Sequence, residues 1–248
     1  MNHPLSEGVV IDLETTGLHA RTDKIIEIGA LKIREGRVAD TYSQLLYPGF
    51  PLSPTITQIT GITDEMLAAQ KVFADVAEEL LAFLGEDPLI GHSITGDYAF
   101  LKKAFINHMP KGFAFEKKGI DTLKLARRFL PQEQKKTLSG ACEYFGYTFD
   151  AHRALKDAEA TFFLLNRLYE EYGQKDPGAF EPIPLRFAVK RDSPIMEKQI
   201  RMLQRLFEER GIEDPVDLTS LTKSQASRMI DKLKSSAPGK KDPAHSEP

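Results

Sequence analysis

The chain has 248 residues, 41% hydrophobic and 28% charged, with a net charge of −3. This balance suits one sizeable globular domain plus a smaller appendage and excludes a disordered chain. No apolar run approaches the ~20 residues of a membrane span, MNHPLSEG lacks a signal pattern, and the single Cys142 excludes a disulfide framework or cysteine-rich zinc site.

The expected compartment is therefore the cytoplasm, with no membrane partner. Cys142 lies in the apolar run from Leu138 to Phe145 and reads as a core thiol. Charge is uneven along the chain. From Arg186 onward there are 13 Lys and Arg against 10 Asp and Glu, whereas the preceding 185 residues carry a net −6.

The first element is the stretch Val9-Val10-Ile11-Asp12-Leu13-Glu14-Thr15-Thr16-Gly17, a β-rich run whose end carries two carboxylates. Strand side chains alternate, so Asp12 and Glu14 share a face and Leu13 points into packing. Thr-Thr-Gly breaks the strand. Adjacent like charges at a strand end either sit in water or hold a hard cation. The pair alone does not decide between these.

Lys24 to Ile33 is a second strand, and Arg37 to Leu46 follows across the turn Arg34-Glu35-Gly36 as a hairpin. Pro48 to Pro54 reads as a loop, with a short helix at Asp64 to Ala69. Val72 to Leu84 has a helical apolar stripe that Gly85 ends. Pro88 to Gly91 is a short strand before the helix Tyr98 to His108. Another short strand, around Gly119-Ile120-Asp121, feeds the helix Thr122 to Leu130, with Asp121 as its cap. Helices over Leu138 to Phe145 and Asp157 to Tyr172 complete an α/β pattern. A meander followed by alternation predicts a mixed sheet, antiparallel at its start and parallel later, flanked by helices.

The pattern divides the chain into a main domain at 1–173, a proline-marked linker at 174–196, a helical module at 197–235 and a disordered tail at 236–248. In the module, Glu197 to Arg210 is a helix, and Thr222 with Gln225 forms a capping box for the last one.

Polar residues gather at the ends of predicted elements, where α/β sites lie. Asp97 opens a helix after His92-Ser93-Ile94-Thr95-Gly96, either as an N-cap or as a functional acid. His152 precedes Asp157 by five residues in HRALKD, on a loop entering a helix. Four acids and a histidine suffice for two-metal phosphodiester hydrolysis. Carboxylates hold two ions ~4 Å apart, and a histidine can take the proton of the attacking water near neutral pH.

The motifs DLETTG, GHSITGDYAFL and HRALKDAEAT resemble the three exonuclease motifs of the DnaQ-like DEDDh 3′→5′ exonucleases, among them the proofreading subunits and domains of bacterial replicative polymerases. ITGIT at 59–63 and IDTLKLARRFLP at 120–131 extend the resemblance over about residues 5 to 173. It implies a ribonuclease H-like fold and a metal-dependent 3′→5′ exonuclease that releases 5′-mononucleotides from DNA, in proofreading or repair. The alternatives are RNA as substrate, or an end-binding polymerase accessory with incidental hydrolysis.

By the same resemblance, Asp12, Glu14, Asp97 and Asp157 bind two divalent ions, Mg²⁺ or Mn²⁺, and His152 is the general base. Thr15, Thr16, Gly17 and Leu18 hold the terminal nucleotide. The implied partners are a single-stranded or frayed 3′ end, with DNA favoured, and a polymerase or other replication or repair protein. The chain departs from the family at Ser93, where asparagine is usual, and at Gly96, where phenylalanine is usual.

Overall fold

In the computed structural model, residues 6–212 and 218–235 are described. Apolar and β-branched residues dominate β1 (Glu7–Thr15) and β2 (Ile25–Arg34), which pair antiparallel. Glu35 and Gly36 both take positive φ (52° and 72°), the twist that suits a two-residue hairpin. The chain returns there into β3 (Arg37–Leu45).

Crossovers then place β4 (Leu89–Gly91) beside β1, and β5 (Lys118–Asp121) beside β4, both parallel. The two-residue β6 (Ile183–Pro184) closes the edge antiparallel, giving the order β3-β2-β1-β4-β5-β6. This is the mixed sheet expected. The chain winds outward from β1 in both directions, so a crevice opens at the carboxyl ends of β1 and β4.

The helices are α1 (Pro54–Thr60), α2 (Asp64–Leu67), α3 (Phe73–Leu84), α4 (Thr95–His108), α5 (Thr122–Phe129), α6 (Leu138–Tyr144) and α7 (Ala154–Tyr172). The sequence reading did not foresee α1, although its signals are local. Ser53 caps it, Pro54 starts it, and Gly61 at φ 69° ends it. Asp121 caps α5 as expected, accepting the Leu123 N–H at 3.0 Å.

Two apolar layers sandwich the sheet. On one face Val9, Ile11, Ile28 and Ala30 pack with Val76, Leu80 and Phe105 of α3 and α4. On the other, Val10, Leu31 and Ile33 pack with Leu125 of α5 and with Ala158, Leu164 and Leu168 of α7. Cys142 is the core thiol expected. Burial pushes it up to about 12, and its Sγ lies 3.5 Å from the Ala160 carbonyl.

The chain forms two compact units, divided between Lys190 and Arg191. Most of the stretch read as a linker is thus folded into the first unit. Phe180 and Leu185 are buried there, and Lys103 Nζ donates to the Lys190 carbonyl at 2.8 Å. In the second unit, α8 (Glu197–Arg210) and α9 (Lys223–Ser235) bury Leu203, Phe207 and Ala226. Gln199 locks the pair by donating to the Lys223 carbonyl and the Ser227 hydroxyl, each at 2.9 Å. Thr222 and Gln225 form the reciprocal capping box. Residues 236–248, expected to be disordered, lie outside the described residues. No described helix is long and apolar enough to cross a membrane.

The first turn of α7 crosses β2 at Gly29, directly opposite Asp12 in the sheet register. A Cβ on Gly29 would lie 2.1 Å from the Leu155 amide nitrogen and 2.2 Å from the Ala154 carbonyl carbon. Backbone occupies the space, so no side chain can yield. Gly29→Ala is therefore expected to destabilise the fold by about 1–3 kcal/mol through overpacking. Gly96→Ala, with nothing within 4 Å of the added methyl, should instead stabilise by about 0.4–1 kcal/mol. Urea unfolding of both variants checks the contrast.

Candidate active site

Asp12 and Glu14 end β1 on the α7 side of the sheet, facing Gly29 and Glu27 across the β1–β2 pairing. Leu13 projects oppositely and packs against the α3–α4 layer, as strand alternation requires. Asp157, from the first turn of α7, joins them. One carboxylate oxygen from each of Asp12, Glu14 and Asp157 lies within 4.8 Å of the others.

The helix carrying Asp157 begins three residues earlier than its pattern suggested, at Ala154. Asp157 therefore sits inside the first turn, and its Oδ2 reaches back to accept the N–H groups of His152 (2.8 Å) and Arg153 (3.0 Å). The Asp157 carboxylate thus serves both the loop and the cluster. His152 has a left-handed backbone, φ 71°, and an exposed side chain. The same two amides that Asp157 holds fix that conformation.

Asp97 lies in the first turn of α4, not at its cap. Ile94 occupies the cap position. The Asp97 carboxyl accepts the Leu13 backbone N–H, which ties the start of α4 to the end of β1. His92 is spent on structure, with Nδ1 3.0 Å from Thr122 Oγ1 and Nε2 2.9 Å from the Lys136 carbonyl. Ser93, at φ 73°, donates its N–H to Asp121 Oδ1. That left-handed backbone is one that Asn would tolerate better than Ser. Gly96 faces open space where the usual ring would stand.

The strand end runs on into Thr15 to Leu18. Thr15 Oγ1 donates to the Gly17 carbonyl at 2.7 Å, and Thr16 Oγ1 accepts the Lys24 N–H at 3.0 Å. A Cβ on Gly17 would fall 2.5 Å from Asp23 Oδ2, the oxygen that caps the turn through the His19 N–H. The turn presents Leu18 almost wholly to solvent, 93% exposed.

One functional candidate escaped the sequence reading. Glu27 is 2% exposed, within β2 and beside the cluster. Arg153 grips it with Nε at 3.1 and 3.3 Å and Nη2 at 2.8 Å, and the Ala154 N–H adds 3.1 Å. The signal was present. An acid inside the apolar run Ile25-Ile26-Glu27-Ile28 is as anomalous as Asp12 in its own strand.

Electrostatics show what this arrangement lacks. Burial, then the charges of Asp97, Asp157, Glu14 and Glu27, hold Asp12 well above the usual carboxylate range. Burial, then Asp157 and Glu27, pushes Glu14 up to about 7 against the opposing Arg153. Burial also lifts Asp97 to about 7, against hydrogen bonds from its own amide and that of Leu13. Asp157 is raised by burial despite its two amide donors. Each acid is driven toward its protonated form, chiefly by burial. The donor set is all oxygen, which fits a hard divalent cation, so the residues present suit such an ion.

Comparisons agree with the geometry. An exonuclease family model, RNase_T, matches residues 9–165. A DNA polymerase III subunit epsilon of Aquifex aeolicus is 36% identical over 164 residues, 66% of this chain and 80% of that protein. A PolC-type DNA polymerase III of Halalkalibacterium halodurans is 40% identical over 172 residues, 69% of this chain but 12% of the polymerase. The chain thus spans about an eighth of that larger relative. Among solved structures, exonuclease X in complex with 5′ overhanging duplex DNA superposes with a TM-score of 0.54 at 27% identity, over 66% of this chain and 92% of its own. The sheet order and its covering helices are the ribonuclease H-like fold of the DEDDh exonucleases. With its family model spanning most of the first unit and its acids gathered at the switch point of the sheet, this chain belongs to the RNase_T exonuclease family.

Proposed function

We propose that this exonuclease hydrolyses the last phosphodiester bond at the 3′ end of DNA and releases 5′-mononucleotides. The observation that carries the proposal is the meeting of Asp12, Glu14 and Asp157 within 4.8 Å, beside Asp97 and the loop bearing His152. In this reading Asp12, Glu14 and Asp157 would hold one divalent ion, Mg²⁺ or Mn²⁺, and Asp97 with Asp12 would serve a second. Such ions, when bound, acidify water and offset charge on the departing oxygen.

The residues of the chain do the rest. His152, exposed on its loop, takes the proton of the attacking water. The new P–O bond forms as the bond to the 3′ oxygen of the penultimate nucleotide breaks, and that oxygen leaves with a proton as the new 3′ hydroxyl. Thr15 and Thr16 retain hydrogen-bonding capacity beyond their backbone contacts and hold the terminal sugar. Gly17 lets the turn approach closely, and Leu18 packs beside the last base. The names of the polymerase relatives favour DNA and a replicative polymerase as partner.

Asp12→Ala and His152→Ala are each expected to lower Mg²⁺-dependent shortening of a 5′-labelled oligonucleotide at least 10³-fold while leaving a cooperative unfolding transition. Unimpaired cleavage by both purified variants would sink the assignment. Running single-stranded DNA, mismatched DNA and RNA ends side by side decides the substrate.

The perturbed acids also set a pH trend. In the folded, metal-free chain Glu14 and Asp97 hold their protons up to about pH 7, whereas unfolded carboxyls release theirs near pH 4 (about 3.9–4.3). The folded state binds more protons across that window, so these groups stabilise it at low pH and lose their contribution as pH rises to about 7. The melting temperature in EDTA should fall across the window, less steeply for Glu14→Gln, and Mg²⁺ or Mn²⁺ should restore it at pH 7.5. Calorimetry showing identical slopes for wild type and Glu14→Gln would contradict the cluster's electrostatics.

A further inference from the structure

Glu27 is the buried acid that the mechanism leaves without a task. It faces Glu14 across the β1–β2 pairing, yet it is not one of the three clustered carboxylates. Its oxygens explain why. Oε1 takes Arg153 Nε and Nη2, and Oε2 takes Nε and the Ala154 N–H. With both oxygens committed to donors, Glu27 is poorly placed to ligate a metal, and the forked guanidinium contact fixes direction as well as charge.

The geometry brackets His152. On one side, Asp157 Oδ2 holds the His152 and Arg153 amides. On the other, Glu27 holds the Arg153 side chain and the Ala154 amide. Between them His152 is kept at φ 71°, a left-handed backbone that is uncommon for residues other than glycine. Asp157 divides its carboxylate between this loop and the acidic cluster. Glu27 gives its whole carboxylate to the loop. Gly29, two residues on and on the same face of β2, admits the turn of α7 that follows.

We propose that Glu27 is a positioning residue for the exonuclease reaction. Acting through Arg153, it sets the loop that carries His152 and so governs the chemical step without touching metal or substrate. This rests on the functional reading above, and the test separates the two. A merely structural anchor for α7 would change stability alone.

The experiment compares wild type with Glu27→Gln, which keeps the volume but cannot take the guanidinium fork with two oxygens. Metal-free full-length protein labelled with ¹³C-histidine gives signals for six histidines, with His152 assigned by its loss in His152→Ala. The His152 signal is expected to shift or broaden while that of His92, locked by Thr122 and Lys136, stays in place. With Mg²⁺, kcat on a single-stranded oligonucleotide is expected to fall about 10–100-fold, as for residues that orient catalytic groups, with KM within threefold.

An unmoved His152 signal, or a kcat loss under tenfold, overturns the positioning role even if His152→Ala is inactive. Full activity of His152→Ala overturns the exonuclease assignment of His152 itself. If Glu27→Gln loses the dispersed spectrum of a folded protein, Arg153→Gln, made at a half-exposed side chain, decides by the same two measurements.

Discussion

Burial of the carboxyl groups of Asp12, Glu14, Asp97 and Asp157, and repulsion among them, oppose the arrangement on which the proposed chemistry rests, and the rest of the fold is the force that holds them. Burial lifts every one of these acids above its ordinary range, so folding concentrates charge that water would rather separate. What opposes the repulsion is apolar. Val9, Val10 and Ile11, immediately before Asp12, are wholly buried between two helical layers, and the hydrophobic term of such residues, roughly 1.5–3 kcal/mol each, anchors the strand end. The site is thus the polar continuation of a strand buried between two helical layers.

Asp97, Asp157 and Glu27 are each held beside the site by a different backbone device. Asp97 is tied to the Leu13 amide. Asp157 takes two amides ahead of α7. Glu27 receives the Ala154 amide at the start of the same helix, where a negative charge is favoured. The helix can come so near only because β2 has no side chain at Gly29. Preorganisation of this kind is costly in the metal-free chain and would become favourable with a dication bound among the acids.

Much of this was legible from local rules. The meander and the alternation that follows it were predicted from strand and helix periods, and the capping of α5 by Asp121 from a single residue type. The missed helix α1 carried Ser, Pro and Gly at the expected positions, and the early start of α7 was hidden because His152 and Arg153 break the apolar pattern. The folding of residues 174–190 into the first unit was not legible. Three prolines there suppress periodicity, while Phe180 and Leu185 find their burial against segments far away in sequence.

The sequence alone determined the identity and order of the acids, the shared face of Asp12 and Glu14, and the family to which the motifs belong, because these depend on spacing within one element. Only the tertiary structure decided that Asp157 meets that pair, that Asp97 stands in a helical turn and not at its cap, and that Glu27 and Arg153 frame His152. Those outcomes depend on the β1–β2 register and on where α7 crosses the sheet. Such contacts join residues more than a hundred positions apart, and no local propensity encodes them.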